Sequence, residues 1–97
     1  MQEIKPGFYY HFKHDPKGSI NDYAYEVLGV GKHTETEEYF VIYSPLYESE
    51  EKFRLRPLGM FLEEVEREGK VMPRFHKIED PEIIAKLEEI KNKIYKI

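Results

Sequence analysis

Five side chains offer a chemistry together that none offers alone: His11, Lys13, Arg54, Arg56 and Arg74. An arginine presents a planar fork of N–H donors that fits a carboxylate or phosphate bidentately, and a lysine adds a mobile point charge. Tyr9, Tyr43 and Tyr47 lie in the same apolar stretches and provide faces on which a flat ring can stack. Gathered on one face, these groups would hold an anionic ligand carrying a ring, such as a nucleotide or a single-stranded base. The competing arrangement pairs the arginines with the acidic clusters Glu35–Glu38, Glu48–Glu51 and Glu63–Glu68. Solvated pairs of that kind contribute little.

A second group is His33 and Glu35, with Glu37 and Glu38 beside them. Imidazole and carboxylates ligate metals and perform general acid–base work near neutrality. The spacing lacks the His-x-x-x-His pattern of a helical zinc site, and no metal is expected. The alternative is turn chemistry, with Thr34 and Thr36 bonding their own backbone to shape a hairpin. No serine nucleophile motif, Walker pattern or glycine-rich phosphate loop is present, and Gly29-x-Gly31 lacks the third glycine and the helix of a dinucleotide site. No catalytic residue is assigned and no cofactor is expected. Met60, Phe61 and Val65 form an apolar knob whose spacing reads as core.

Short strands must position these residues. Gly7–Lys13 reads as a first strand, ended by the turn chemistry of Asp15-Pro16-Lys17-Gly18. Tyr23–Lys32 reads as a second, with Gly29 and Gly31 marking a bulge or tight bend. Glu38–Tyr43 is apolar on both faces and reads as a central strand, with Pro45 weakening the pattern beyond it. Lys52–Arg56 alternates, with Phe53 and Leu55 one way and Arg54 and Arg56 the other. A short helical turn from Met60 to Val65, ending near Gly69, then leads to a fifth strand over Val71–Ile78.

The last segment carries the firmest local signals. Asp80 suits an N-cap, Pro81 the first helical position, and Glu82 the N-terminal dipole. Ile83, Leu87, Ile90, Ile94 and Ile97 then make one narrow apolar stripe, and Lys91, Lys93 and Lys96 crowd the C-terminal end. That stripe can dock on the strands of its own chain or pair with a second copy in a homodimer through Ile83, Leu87, Ile90 and Ile94.

The net charge of −4 argues against bulk attraction to nucleic acid or to an anionic membrane. The acidic excess sits on residues 1–79, which hold 11 basic and 15 acidic side chains, whereas residues 80–97 hold four of each. With no cysteine there is no disulfide framework, thiolate metal site or cysteine nucleophile, and a cytoplasmic location is expected. Met1–Pro6 has no apolar core or small-residue cleavage site of a signal peptide, and no apolar run approaches the ~18 residues of a membrane span.

At Gly7-x-Tyr9-x-His11-Phe12-Lys13 the chain begins to resemble the uncharacterised bacterial family called domain of unknown function 1653. The likeness continues through Tyr25-x-Val27-x-Gly29, His33-Thr34-Glu35-Thr36-x-Glu38 and Val41-x-Tyr43-x-x-Leu46-Tyr47. It ends with Arg56-Pro57-Leu58-x-Met60-Phe61-x-Glu63-x-Val65 and Arg74-Phe75, spanning about residues 5–78. The resemblance implies an SH3-like barrel and carries no assigned activity. His14–Asp22 looks like an insertion relative to the family, and Arg54 stands where the family usually has Trp. On pattern alone an OB-fold competes with the SH3-like barrel, since both have five short strands.

The expected architecture is therefore mainly β, and α+β overall. A five-stranded SH3-like barrel occupies residues 1–79, with a helical turn before its last strand, and an amphipathic C-terminal helix occupies residues 80–97. The leading functional expectation is a non-catalytic module binding an anionic small molecule or single-stranded nucleic acid, with no membrane partner. Its site comprises His11, Lys13, His33, Glu35, Tyr43, Tyr47, Arg56 and Arg74. A protein-interaction or homodimerisation module, and a metal-dependent or acid–base enzyme using His33 and its glutamates, remain as alternatives.

Overall fold

Alternating apolar and polar residues, broken by turn sequences, make short strands the prevailing element of this chain. The structure is a computed structural model and describes residues 4–95. Its strands are β1 (Gly7–His11), β2 (Ala24–Lys32), β3 (Tyr39–Pro45) and β4 (Arg54–Pro57). They are followed by a one-turn helix α1 (Leu58–Phe61), strands β5 (Glu64–Arg67), β6 (Lys70–Pro73) and β7 (Phe75–Lys77), and helix α2 (Pro81–Tyr95). Five strands form one antiparallel sheet in the order β4-β3-β2-β1-β7, and β5 and β6 form a separate hairpin.

The register aligns the aromatic side chains. Tyr9 lies opposite Tyr25 and Lys77, Tyr25 opposite Pro45, and Tyr43 opposite both Val27 and Arg54. Residues directly opposite share a face, so these side chains form one layer. The expected bulge falls between Val27 and Gly29. The extra residue, Leu28, breaks the alternation, so Val27 and Val30 turn to the same apolar cluster. Gly31 permits close approach of β3, since a Cβ there would lie 3.1 Å from Ile42 Cδ1.

Each face of the sheet has its own core. The inner face gathers Tyr9, Tyr25, Val27, Val41, Tyr43, Phe61 and Phe75. Phe75, on one edge strand, stacks on Phe61 at 4.1 Å and stands 5.8 Å from Tyr43 of β3. The Arg56 guanidinium, from the opposite edge strand, lies 5.5 Å above the same Phe75 ring. Side chains of both edges thus meet over a strongly curled sheet. The curl stops short of closure, because no ladder joins β4 to β7; the expected closed barrel is here an open, curled sheet.

The outer face gathers Phe8, Tyr10, Ala24, Leu46 and Ile78 beneath α2, which contributes the fully buried Leu87 with Ile83, Ile84 and Ile90 around it. Ile83, Leu87 and Ile90 of the α2 stripe pack on their own chain, and Ile94 is half-buried; Ile97 lies outside the described residues. Asp80 caps the helix as expected, its Oδ1 accepting from the Glu82 N–H at 2.9 Å. Lys91 reaches Glu26 on β2 at 3.1 Å, pinning the helix to the sheet. No helix among the described residues is long and apolar enough to cross a membrane.

The expected helical segment is shorter than its apolar spacing suggested. α1 ends at Phe61, and Glu64–Arg67 turns back on Lys70–Pro73. The cause is the two-residue turn Glu68-Gly69, with φ of 54° and 78°, the left-handed pair that a tight hairpin requires. The same Gly69 that fits a helix end fits this turn. The expected fifth strand, Val71–Ile78, divides at Arg74: β6 pairs with β5, and β7 pairs with β1.

Candidate functional site

Arg54 and Arg56 lie opposite Tyr43 and Val41, which turns both guanidinium groups to the inner face. Arg54 Nη1 donates to the Tyr47 hydroxyl at 3.0 Å, and Nη2 to Ser49 Oγ at 3.3 Å. Its guanidinium lies 5.8 Å from the Tyr25 ring and 5.6 Å from that of Tyr47. The tyrosine hydroxyls meet at 2.8 Å, and burial raises the pKa of Tyr25. Arg56 Nε donates to the Tyr43 hydroxyl at 3.3 Å. Arg74, at the break between the two sheets, has its Nη2 3.8 Å from Glu63 Oε1, while its Nε is buried without a hydrogen-bond partner.

His11 records the field these groups create. Its side chain is buried edge-on against Phe75 at 5.0 Å and stacks on Tyr23 at 5.5 Å. Burial, followed by the charges of Arg56, Arg74 and Lys13, lowers its pKa from 6.5 to about 4. Nδ1 accepts the Lys13 backbone N–H at 3.2 Å, which puts the proton of the neutral ring on Nε2. At neutral pH the cluster is therefore three guanidinium groups, one ammonium and an uncharged imidazole. Among the described residues neither Arg54 nor Arg56 has a carboxylate within ion-pair distance; of the acidic clusters, only Glu63 reaches an arginine of this set.

Expected residues divide accordingly. His11, Lys13, Arg56 and Arg74 are electrostatically coupled, and Tyr43 and Tyr47 bind the arginines. Tyr9 lies in the same core, its hydroxyl donating to the Lys5 carbonyl at 2.7 Å. His33 and Glu35 do not join them. They follow the far end of β2, whose 9 residues separate them from the His11 end by roughly 25–30 Å at strand rise. His33 Nδ1 accepts the backbone N–H groups of Glu35 and Thr36, each at 3.2 Å, and Thr36 Oγ1 accepts that of Glu38 at 3.3 Å. This is turn chemistry, and no metal-ligating group of three side chains occurs among the described residues. Phe61 is core, whereas Met60 is exposed.

A neighbouring cleft of about 630 Å³ was not expected from the sequence. It is lined by Gly18, Ser19, Asn21, Asp22, Tyr23 and Tyr47. The segment resembling an insertion is folded onto the sheet. His14 stacks on Tyr10 at 3.6 Å and bonds the Asp22 carbonyl at 2.6 Å, and Asn21 Nδ2 donates to the Leu46 carbonyl at 2.9 Å. Tyr23 adopts a left-handed φ of 52°, which separates it from β2 and lays its ring beside His11. Sequence reasoning placed Tyr23 inside the strand; the preceding Asn21-Asp22 turn pair was the available signal.

The model of a family described as a protein of unknown function (DUF1653) matches residues 7–77. A crystal structure of a DUF1653 protein from Bordetella bronchiseptica superposes with a TM-score of 0.66 at 32% identity, covering 80% of this chain and 91% of that one. No curated protein matches the chain. The matched residues contain β1 through β7, and with them His11, Arg54, Arg56 and Arg74. The chain thus belongs to the DUF1653 family.

Proposed function

We propose that this protein is a non-catalytic binding module that takes an anionic, nucleotide-like ligand over the inner face of its curled sheet. The supporting observation is the gathering of Arg56, Arg74 and Lys13 around His11, with Arg54 on the same face of β4 as Arg56, and with only Glu63 among the described residues pairing to an arginine of the set. Arg54 and Arg56 are held by tyrosine hydroxyls and Arg74 faces Glu63, and each keeps donors free for a phosphate. Partial burial strengthens such bonds by excluding competing water. His11, neutral and compressed among cations, becomes easier to protonate once an anion arrives, adding a donor to the complex. We read the scaffold as an opened SH3-like barrel on the strength of its edge-to-edge Arg56–Phe75 contact, and the cysteine-free chain as cytoplasmic. His33 and Glu35 take no part in this reading.

The test is calorimetric titration with pyrophosphate and with a nucleoside monophosphate. Removing one charged hydrogen-bonding group costs about 1.5–3 kcal/mol, so Arg56→Ala should weaken binding roughly ten- to a hundredfold with the circular-dichroism melt little changed. If Arg56→Ala unfolds the domain instead, the arginine is structural and the proposal loses its anchor.

A second reading is a peptide-docking adapter. Among the described residues the outer edge of β4 has no partner strand, and Leu55 and Phe53 are 63% and 58% exposed there. An open edge with apolar side chains suits strand addition. A peptide selection on the domain that yields no binder sensitive to Leu55→Glu would reject it.

A further inference from the structure

We infer that the cleft built by the Gly18–Tyr23 segment is the ring subsite of the anion-binding face, and that it selects a guanine ring. This inference rests on the function proposed above and names the ligand more closely. Both aromatic walls of the cleft are tied to the cationic cluster. Tyr23 stacks on His11 at 5.5 Å, and the Tyr47 hydroxyl accepts from Arg54 Nη1 at 3.0 Å. A flat ring held between these walls has its substituents beside the guanidinium groups, so ring and phosphate can be engaged by one ligand. The cleft's volume of about 630 Å³ accommodates a nucleotide, falling within the ~300–1,000 Å³ usual for small-molecule sites.

The choice of ring comes from Asp22. It is the only carboxylate among the six lining residues, and among the described residues it makes no side-chain hydrogen bond or ion pair. The Asp22 carboxylate lies beside Gly18, where a Cβ would rest in ordinary contact at 3.7 Å from Oδ2. A carboxylate only accepts hydrogen bonds. Guanine offers two adjacent donors on its Watson–Crick edge, the N1–H and the N2 amino group, and can engage both carboxylate oxygens. Adenine offers one amino group beside an N1 lone pair that repels a carboxylate. Asn21 is a poorer match for this role, because its Nδ2 donates to the Leu46 carbonyl at 2.9 Å and its single amide oxygen cannot engage both guanine donors as a carboxylate does.

The experiment compares GMP, AMP and pyrophosphate on the full chain and on Asp22→Asn. A bidentate base contact discriminates by roughly five- to a hundredfold. Wild type should bind GMP tighter than AMP within that range. Asp22→Asn should reduce GMP to the level of AMP and leave pyrophosphate unchanged. Tyr47→Leu should weaken both nucleotides more than pyrophosphate. Equal binding of GMP and AMP by wild type, or a preference that survives Asp22→Asn, overturns the assignment. Pyrophosphate binding that depends on Arg56, with GMP no tighter, refutes the ring subsite and leaves the anion-binding face standing. Failure of all three probes to bind removes both. The oligonucleotide r(UUGUU), bound tighter than GMP with the same Asp22 dependence, places the guanine in a single strand; weaker binding places it in a free nucleotide.

Discussion

Replacing His11 by Gln tests the electrostatics of the inner face without any ligand. Gln retains an acceptor for the Lys13 N–H, which His11 Nδ1 accepts at 3.2 Å, but cannot take a proton. In the folded protein the His11 pKa falls from 6.5 to about 4, first through burial and then through Arg56, Arg74 and Lys13. The unfolded chain therefore binds more protons than the folded one between those values, and stability must decline as the pH falls through that window. With folded and unfolded pKa values of about 4 and 6.5, the loss relative to pH 7 is about 2 kcal/mol at pH 5 and about 3 kcal/mol at pH 4. Below about pH 4 the imidazole contributes little further change. Every other titrating group, including His76 with its lowered pKa, is common to both proteins and cancels in the difference. Urea unfolding followed by far-ultraviolet circular dichroism at pH 7, 5 and 4 measures it. Wild type should lose more stability on acidification than His11→Gln, by the amounts stated. Parallel pH profiles would refute the reasoning, because they would mean that His11 is neither buried nor surrounded by positive charge.

Leu87→Ala leaves a cavity between α2 and the sheet, where Leu87 is fully buried, and should cost about 2–5 kcal/mol in urea unfolding. A loss below 1 kcal/mol would mean that α2 does not dock there. Glu68 holds φ at 54° in the β5–β6 turn, so Glu68→Asn should raise stability by about 0.5–1 kcal/mol. A lower melting temperature for Glu68→Asn would contradict that turn geometry.

Helix α2 was legible because its determinants are local. Asp80 and Pro81 act within one turn, and the stripe centred on Leu87 needs only a covering surface. The strands were legible for the same reason, as was the Val27/Gly29 bulge in glycine-marked β2. The β5–β6 hairpin was not, because Val65 fits a helical as well as an alternating pattern and Gly69 ends either element. The pairing of β7 with β1 joins residues more than sixty apart in the chain, and nothing local to Arg74 announces that the strand changes sheets there.

The site was half legible. Residue type alone pointed to the arginines, His11 and the tyrosines, and strand alternation put Arg54 and Arg56 on one face. Residue type pointed equally to His33 and Glu35, which the length of β2 removes from the cluster. Arg54 lays its guanidinium against Tyr25 and Tyr47, which brings a planar charged group to those rings. The Gly18–Tyr23 cleft was missed because turn residues were read as punctuation, whereas packing of His14 on Tyr10 makes that turn a wall.

The central claim is that the inner face binds a nucleotide-like anion, and a two-dimensional amide NMR titration with GMP at two salt concentrations tests it most directly. Saturable, salt-weakened shifts are expected at His11, the Gly18–Tyr23 segment with Asp22, Tyr47, Arg54, Arg56 and Arg74, with the resonances of His33 and Glu35 unmoved. A spectrum unchanged at millimolar GMP, or shifts centred on His33 and Glu35, would contradict it.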